Sequence, residues 1–96
     1  MLEREGGLKR LRLVVTGRVQ GVGFRYFAYQ YAVEKGLTGR AFNRPDGAVE
    51  IEVQGPLEVV EGFVMIVRRG PDLAAVEAVE TETLQWNTGE DSFKFF

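Results

Sequence analysis

The stretch Leu8-Lys9-Arg10-Leu11-Arg12-Leu13-Val14-Val15-Thr16, followed by Gly17-Arg18-Val19-Gln20-Gly21-Val22-Gly23 and then Phe24-Arg25-Tyr26-Phe27-Ala28-Tyr29-Gln30-Tyr31-Ala32, changes its apolar period partway along. Up to Thr16, Leu11, Leu13 and Val15 alternate with Arg10, Arg12 and Val14, the period-two pattern of a strand with one buried face. After Gly23, residues Phe24, Phe27, Ala28, Tyr31 and Ala32 recur at helical spacing and form one apolar stripe. Gly36 then supplies a C-terminal stop. A strand that passes into a helix through a glycine-rich turn opens a β-α-β unit.

Outward from there, Leu37 to Asn43 and Ala48 to Gln54 flank the turn formers Pro45-Asp46-Gly47, and Val49, Ile51 and Val53 alternate with Glu50, Glu52 and Gln54. This predicts a β-hairpin. Gly55-Pro56 opens a second amphipathic helix with Val60, Phe63, Val64 and Val67 at i, i+3, i+4 and i+7. Pro56 suits its first turn, Glu58 and Glu61 its positive end, and Arg68-Arg69-Gly70 its C-terminus. Val76 to Leu84 reads as a strand, Asn87-Thr88-Gly89 as a turn, and Ser92 to Phe96 as a last short strand. The order β-α-β-β-α-β-β predicts an α+β fold, a ferredoxin-like α/β sandwich with two helices on one face of an antiparallel sheet. Residues 1–7, charged and glycine-containing, are expected to be a flexible tail, and residues 8–96 a single domain.

Composition removes whole classes of chemistry. The 96 residues include no cysteine, so disulfides, thiolate metal sites and cysteine nucleophiles are excluded. Histidine is also absent, which excludes an imidazole base, a phosphohistidine and His-ligated metals. Chemistry is left to arginine, lysine, asparagine, carboxylates, hydroxyls and the backbone. A net charge of −2 with dispersed basic residues argues against a nucleic-acid surface. No run approaches the ~20 apolar residues of a membrane span, and the first seven residues lack a signal-peptide core, so a cytoplasmic location is expected. Glu77, Glu80 and Glu82 lie along one strand and cannot all converge, so they are read as solvent-facing and no metal is expected.

The glycine-rich turn is either a plain tight turn or an anion site. Glycines at 17, 21 and 23 allow positive φ and so let N–H groups turn inward as a nest. The helix that follows adds unpaired donors and the positive end of its dipole. Arg25 sits unfavourably beside that positive end unless an anion relieves it, and its planar fork can grip two phosphate oxygens. Read blandly, Arg25 is a solvated cation and Asn43 a turn former bonded to its own backbone.

The run from Val15 through Gly17, Val19-Gln20-Gly21-Val22 and Phe24-Arg25 closely resembles the signature loop of the acylphosphatase family. Gly39-Arg40-Ala41-Phe42-Asn43-Arg44-Pro45-Asp46-Gly47-Ala48-Val49-Glu50, continuing to Gly55, resembles the family's second motif. The resemblance covers nearly the whole chain after the first residues. It implies hydrolysis of the carboxyl-phosphate bond of small acyl phosphates without metal or cofactor. By the same resemblance Arg25 binds phosphate, Asn43 positions the attacking water, and the loop residues Val19, Gln20, Gly21, Val22, Gly23 and Phe24 offer their N–H groups. Inorganic phosphate is then product and competitive inhibitor, and the chain is expected to act as a monomer, with no nucleic acid or membrane partner.

Three positions depart from the family pattern. Arg40 stands where an aromatic is usual, Phe42 where a basic or other non-aromatic residue is usual, and Ala28 where many relatives have threonine. The aromatic has moved two positions, which keeps it on the same side of its strand. Arg18 and Arg44 either raise the local positive potential or are solvated. Phe24, Phe27 and Tyr31 are read as core. Two other readings are weighed. One is a non-catalytic module binding an anion or carbamoyl phosphate, as in larger maturation enzymes that contain such domains. The other is a ferredoxin-like RNA-binding domain, against which the carboxylates of Val49 to Gln54 speak.

Overall fold

The computed structural model describes residues 7–96, so residues 1–6 of the expected tail lie outside the described residues. Gly7 is held, since its carbonyl accepts the N–H of Leu57 at 2.9 Å. Among the described residues the elements run β1 (Leu8–Arg18), α1 (Phe24–Glu34), β2 (Thr38–Asn43), β3 (Val49–Pro56), α2 (Leu57–Arg69), β4 (Ala75–Leu84) and β5 (Phe93–Phe95). They form one sheet in the order β4-β1-β3-β2-β5. β1 is an inner strand, antiparallel to the central β3 through Leu13↔Ile51 and to β4 through Leu13↔Thr81. β2 pairs antiparallel with β3 through Ala41↔Ile51. Each helix therefore links two parallel strands that have a third between them, the split β-α-β arrangement repeated.

The sheet is mixed rather than antiparallel throughout. β5 runs parallel to β2, with Gly39↔Phe93 and Ala41↔Phe95. The reason is topological. β4 and β5 occupy opposite edges, so the connection at 85–92 crosses the whole sheet at one end. A chain that crosses at one end and turns back must run opposite to β4, and that is the direction of β2.

The core lies between sheet and helices. Leu13, Val15, Ile51 and Val53 from the strands meet Phe24, Ala28 and Ala32 from α1 and Val60, Phe63 and Val67 from α2, all essentially inaccessible to water. Each large side chain buried in this way contributes about 1.5–3 kcal/mol. Val60, Phe63, Val64 and Val67 form the buried stripe of α2 at the expected helical spacing. Pro56 lies one residue outside that helix, as its extended N-cap at ψ 140° instead of in its first turn.

The opposite face of the sheet carries charge. Arg10, only 6% exposed, donates through Nη1 to Gln54 Oε1 at 2.7 Å and Glu90 Oε1 at 2.9 Å. Its Nη2 donates to Glu52 Oε1 at 3.0 Å and Glu90 Oε2 at 3.2 Å. Burial alone would lower the Arg10 pKa, but the bonds to Glu90 and Glu52 outweigh it and raise the value. Thr38 Oγ1 also donates to Glu90, and Gln54 exchanges two hydrogen bonds with the Asn87 backbone. The crossing segment is thus pinned to the starts of β1 and β2 and the end of β3, at the far end of the sheet from the glycine-rich loop.

Candidate active site

The loop joining β1 to α1 is shaped by positive φ. Gly21 and Gly23 take φ 74° and 80°, while a Cβ at either would meet nothing within 4 Å. Conformation, not space, calls for glycine there. Gly17, expected to belong to the same nest, does take positive φ, at 117°, and has a further role. It lies within β1 beside a bulge between Thr16 and Gly17, and a Cβ on it would sit 2.2 Å from the Ala75 carbonyl oxygen. Its task is the close approach of β4. Val19, 1% exposed, and the half-buried Val22 anchor the loop in the core.

The consequence for the backbone is a set of unengaged donors. None of the N–H groups of Gln20, Gly21, Val22, Gly23 and Phe24 donates to an acceptor among the described residues. The N-cap of α1 is Gly23, which offers no side-chain cap, and the first turn holds no acidic residue. A helix start left in this state is electropositive and rich in donors.

Arg25 stands in that first turn. Its Nη1 donates to the main-chain oxygen of Phe96, and its other donors have no partner among the described residues. The Phe96 N–H in turn donates to the Ala41 carbonyl at 3.0 Å, two residues before Asn43. Asn43 ends β2 opposite Val49, and by strand alternation it shares the face of Ala41 that is turned toward the helices. Its side chain is exposed and makes no hydrogen bond among the described residues. The hairpin turn does not use it, because Asp46 Oδ1 accepts the Ala48 N–H at 3.1 Å and Gly47 N–H donates to the Arg44 carbonyl at 3.1 Å. That Ala48 N–H, with Arg44 next, holds the Asp46 carboxyl below its usual range.

A side chain that sequence reasoning passed over joins the two motifs. Gln20 Nε2 donates to the Arg44 carbonyl at 2.8 Å and to the Ala48 carbonyl at 3.0 Å, tying the loop to the hairpin tip. Its signal was its isolation as a polar side chain among Val19, Gly21, Val22 and Gly23. Arg25 reaches the end of β2 through Phe96, and the loop reaches it through Gln20. Both routes converge beside Asn43.

The remaining charges differ in their surroundings. Arg44 is paired with Asp46 at 2.9 Å and Glu50 at 3.3 Å, so its charge is largely compensated. Arg18 is exposed and has no ion-pair partner among the described residues. The Arg40 guanidinium carbon lies 5.1 Å from the centre of the Phe42 ring, so the displaced aromatic shares a face with Arg40, the face opposite Asn43. Ala28 is fully buried against the sheet. Glu77, Glu80 and Glu82 are exposed, and Glu82 pairs with Arg12. No helix among the described residues is long and apolar enough to cross a membrane.

Comparison with known proteins agrees with this geometry. The family model for acylphosphatase matches residues 11–95. The chain is 51% identical over 85 residues to an acylphosphatase of Thermus thermophilus, covering 88% of this chain and 91% of that one. The crystal structure of acylphosphatase from Bacillus subtilis matches with a TM-score of 0.87 at 37% identity, over 93% of this chain and 98% of the other. HypF of T. kodakarensis also matches, with a TM-score of 0.80 at 32% identity, over 92% of this chain but 12% of HypF. A strand-loop-helix with unengaged donors, an arginine on its first turn and an unbonded asparagine at the neighbouring strand end thus come together in a chain that belongs to the acylphosphatase family.

Proposed function

We propose that this acylphosphatase works by in-line attack of water on phosphorus, with Arg25 and the loop N–H groups holding the phosphate and Asn43 holding the water. The observation that carries the reading is the row of N–H groups from Gln20 to Phe24, without an acceptor among the described residues, at an uncapped helix start beside Arg25. Donors preorganised in this way suit a phosphoryl group whose negative charge is spread over its oxygens in a loose transition state. Val19, at the head of the loop, would complete the cradle. Asn43 offers an acceptor and a donor to one water, which orients it without a charged base.

In the proposed step the water oxygen forms a bond to phosphorus as the bond from phosphorus to the bridging oxygen breaks. The acyl group leaves as a carboxylate, and the water's proton passes to a phosphate oxygen. A carboxylate is a stable leaving group, so no strong general acid is required. Inorganic phosphate then occupies the same cradle as product and competitive inhibitor. The reading includes a monomer acting in the cytoplasm on small acyl phosphates, without metal, cofactor, nucleic acid or membrane.

The test is hydrolysis of benzoyl phosphate in chelator-treated buffer. Arg25→Ala is expected to lower kcat/KM on the order of 10³-fold and to abolish protection by inorganic phosphate. Asn43→Ala is expected to lower kcat by roughly 10²–10³-fold while phosphate still binds. A native chain that binds phosphate at the loop without turnover would replace this mechanism with an anion- or carbamoyl-phosphate-binding module.

A further inference from the structure

The loop and the asparagine that it must serve are carried by different parts of the sheet. β1 pairs with β3 as far as Val15↔Val49, and in the same row Val49 pairs with Asn43 of β2. Asn43 therefore stands two strand spacings from β1, about 9–10 Å. Beyond Val15 the strand turns its pairing to the other side, with Thr16, Gly17 and Arg18 opposite Ala78, Val76 and Ala75 of β4. The root of the loop is thus held by β4, while Asn43 is held by β3. In-line attack requires the phosphorus on the loop and the water on Asn43 to meet at about 3–3.5 Å. Sheet pairing alone does not fix that distance.

Gln20 spans the gap. Its amide nitrogen has two hydrogens, and it donates to the Arg44 carbonyl at 2.8 Å and to the Ala48 carbonyl at 3.0 Å. Arg44 follows Asn43 and Ala48 precedes Val49, so the amide grips the two residues that flank the Asn43↔Val49 pair. The tip it grips is braced by bonds of its own, from Arg44 N–H to the Ala48 carbonyl at 2.8 Å, from Gly47 N–H to the Arg44 carbonyl at 3.1 Å, and from Ala48 N–H to Asp46 Oδ1 at 3.1 Å. At the other end, Val19 and Val22 anchor the backbone around Gln20 in the core. No other hydrogen bond joins residues 19–24 to the hairpin among the described residues.

We propose that the Gln20 side chain is a positioning residue of the reaction, which sets the distance between the phosphate on the loop and the water on Asn43 by fixing the hairpin tip to the loop. The proposal rests on the hydrolase reading above and adds a residue that acts through Asn43 without touching substrate. Two carbonyls as partners call for two donors on one atom, which the amide supplies and an apolar side chain of the same length does not. Without them the loop and the end of β2 move independently, and a misplacement of about 1 Å is enough to cost on the order of 10²-fold in rate.

The experiment is a double-mutant cycle on benzoyl phosphate hydrolysis, with Gln20→Met, Asn43→Ala and the two combined, each checked for folding by circular dichroism. Gln20→Met keeps the length of the side chain and removes its donors. It is expected to lower kcat about tenfold in the native background and less than about twofold where residue 43 is already alanine. A merely structural role would lower kcat by the same factor in both backgrounds. That result, or a loss confined to KM, overturns the proposal while the hydrolase mechanism stands. Should Gln20→Met fail to fold, Gln20→Asn, whose amide falls one methylene short of the carbonyls, takes its place in the cycle. If Asn43→Ala keeps the native kcat, the water-positioning mechanism fails, and the role of Gln20 with it.

Discussion

The two ends of the sheet each present an arginine, and the fold treats them in opposite ways. Arg10, at the start of β1, is nearly inaccessible and donates four hydrogen bonds to Gln54, Glu52 and Glu90. Arg25, just past the other end of the same strand, has one main-chain oxygen as its partner among the described residues. The backbone follows the same division. Near Arg10 the crossing segment exchanges two hydrogen bonds with Gln54, whereas near Arg25 the N–H groups of Gln20 to Phe24 have no acceptor among the described residues. A cation whose two terminal nitrogens are engaged internally holds the fold, and one whose donors are left open can hold a ligand. Residue type alone does not distinguish them.

The largest expected effect separates the two ends outright. Arg10→Met should cost about 3–5 kcal/mol in denaturant unfolding, since it leaves the carboxylates of Glu52 and Glu90 poorly compensated. Activity per folded molecule should be retained. Arg25→Ala should leave the unfolding midpoint nearly unchanged, and a large loss of stability there would break the comparison. A smaller effect sharpens it within the active end. Gln20→Ala removes two hydrogen bonds that hold the loop against the hairpin, and KM should rise by roughly three- to tenfold at a cost of about 1–3 kcal/mol in unfolding, less than that of Arg10→Met.

Acid should act on the Arg10 end. Burial would raise the Glu52 carboxyl, but hydrogen bonds from Arg40 and Arg10 outweigh burial and hold it below its ordinary 4.5. The folded protein then binds fewer protons than the unfolded chain. Glu52 therefore contributes its full stabilisation above 4.5, and the contribution is lost as pH falls through the lower folded value. Denaturant unfolding across this range should decline with acid, and Glu52→Gln should be less stable at neutral pH and less sensitive to acid. The smallest effect belongs to the exposed pair of Arg12 and Glu82. Glu82→Gln should leave the melting temperature within experimental error, because solvent screens such a pair.

Much of this arrangement was legible in the residues. The change from period two to helical period across Gly17 to Gly23 located β1 and α1, and the turn at Pro45-Asp46-Gly47 located the hairpin. Period-two alternation also placed Arg40 and Phe42 on one face, where they stack. What escaped was non-local. The parallel course of β5 follows from the crossing between opposite sheet edges, and no local pattern in Phe93 to Phe95 encodes a direction. Arg10 read as one member of an exposed alternating face, because its burial depends on Glu90, 80 residues away in sequence. The positive φ expected at Gly17 is present, but its second task escaped for a similar reason, since the atom that crowds it belongs to Ala75. At the site, residue types and spacing pointed to Arg25 and Asn43, while the bridge from Gln20 to the Arg44 and Ala48 carbonyls needed the packed hairpin.

The bond between Arg25 and Phe96 also sets an order of events in folding. Its partners are 71 residues apart, so closing that contact carries a large loop entropy unless the sheet between them has already formed. A chain emerging from the ribosome can build the glycine-rich loop early, yet it cannot complete the surroundings of Arg25 until β5 has docked on β2. β5 spans three residues at a sheet edge, so its release costs less than global unfolding and can precede it. On the proposed mechanism, phosphate affinity would report late folding: it would be acquired after the central strands pair and surrendered before they part.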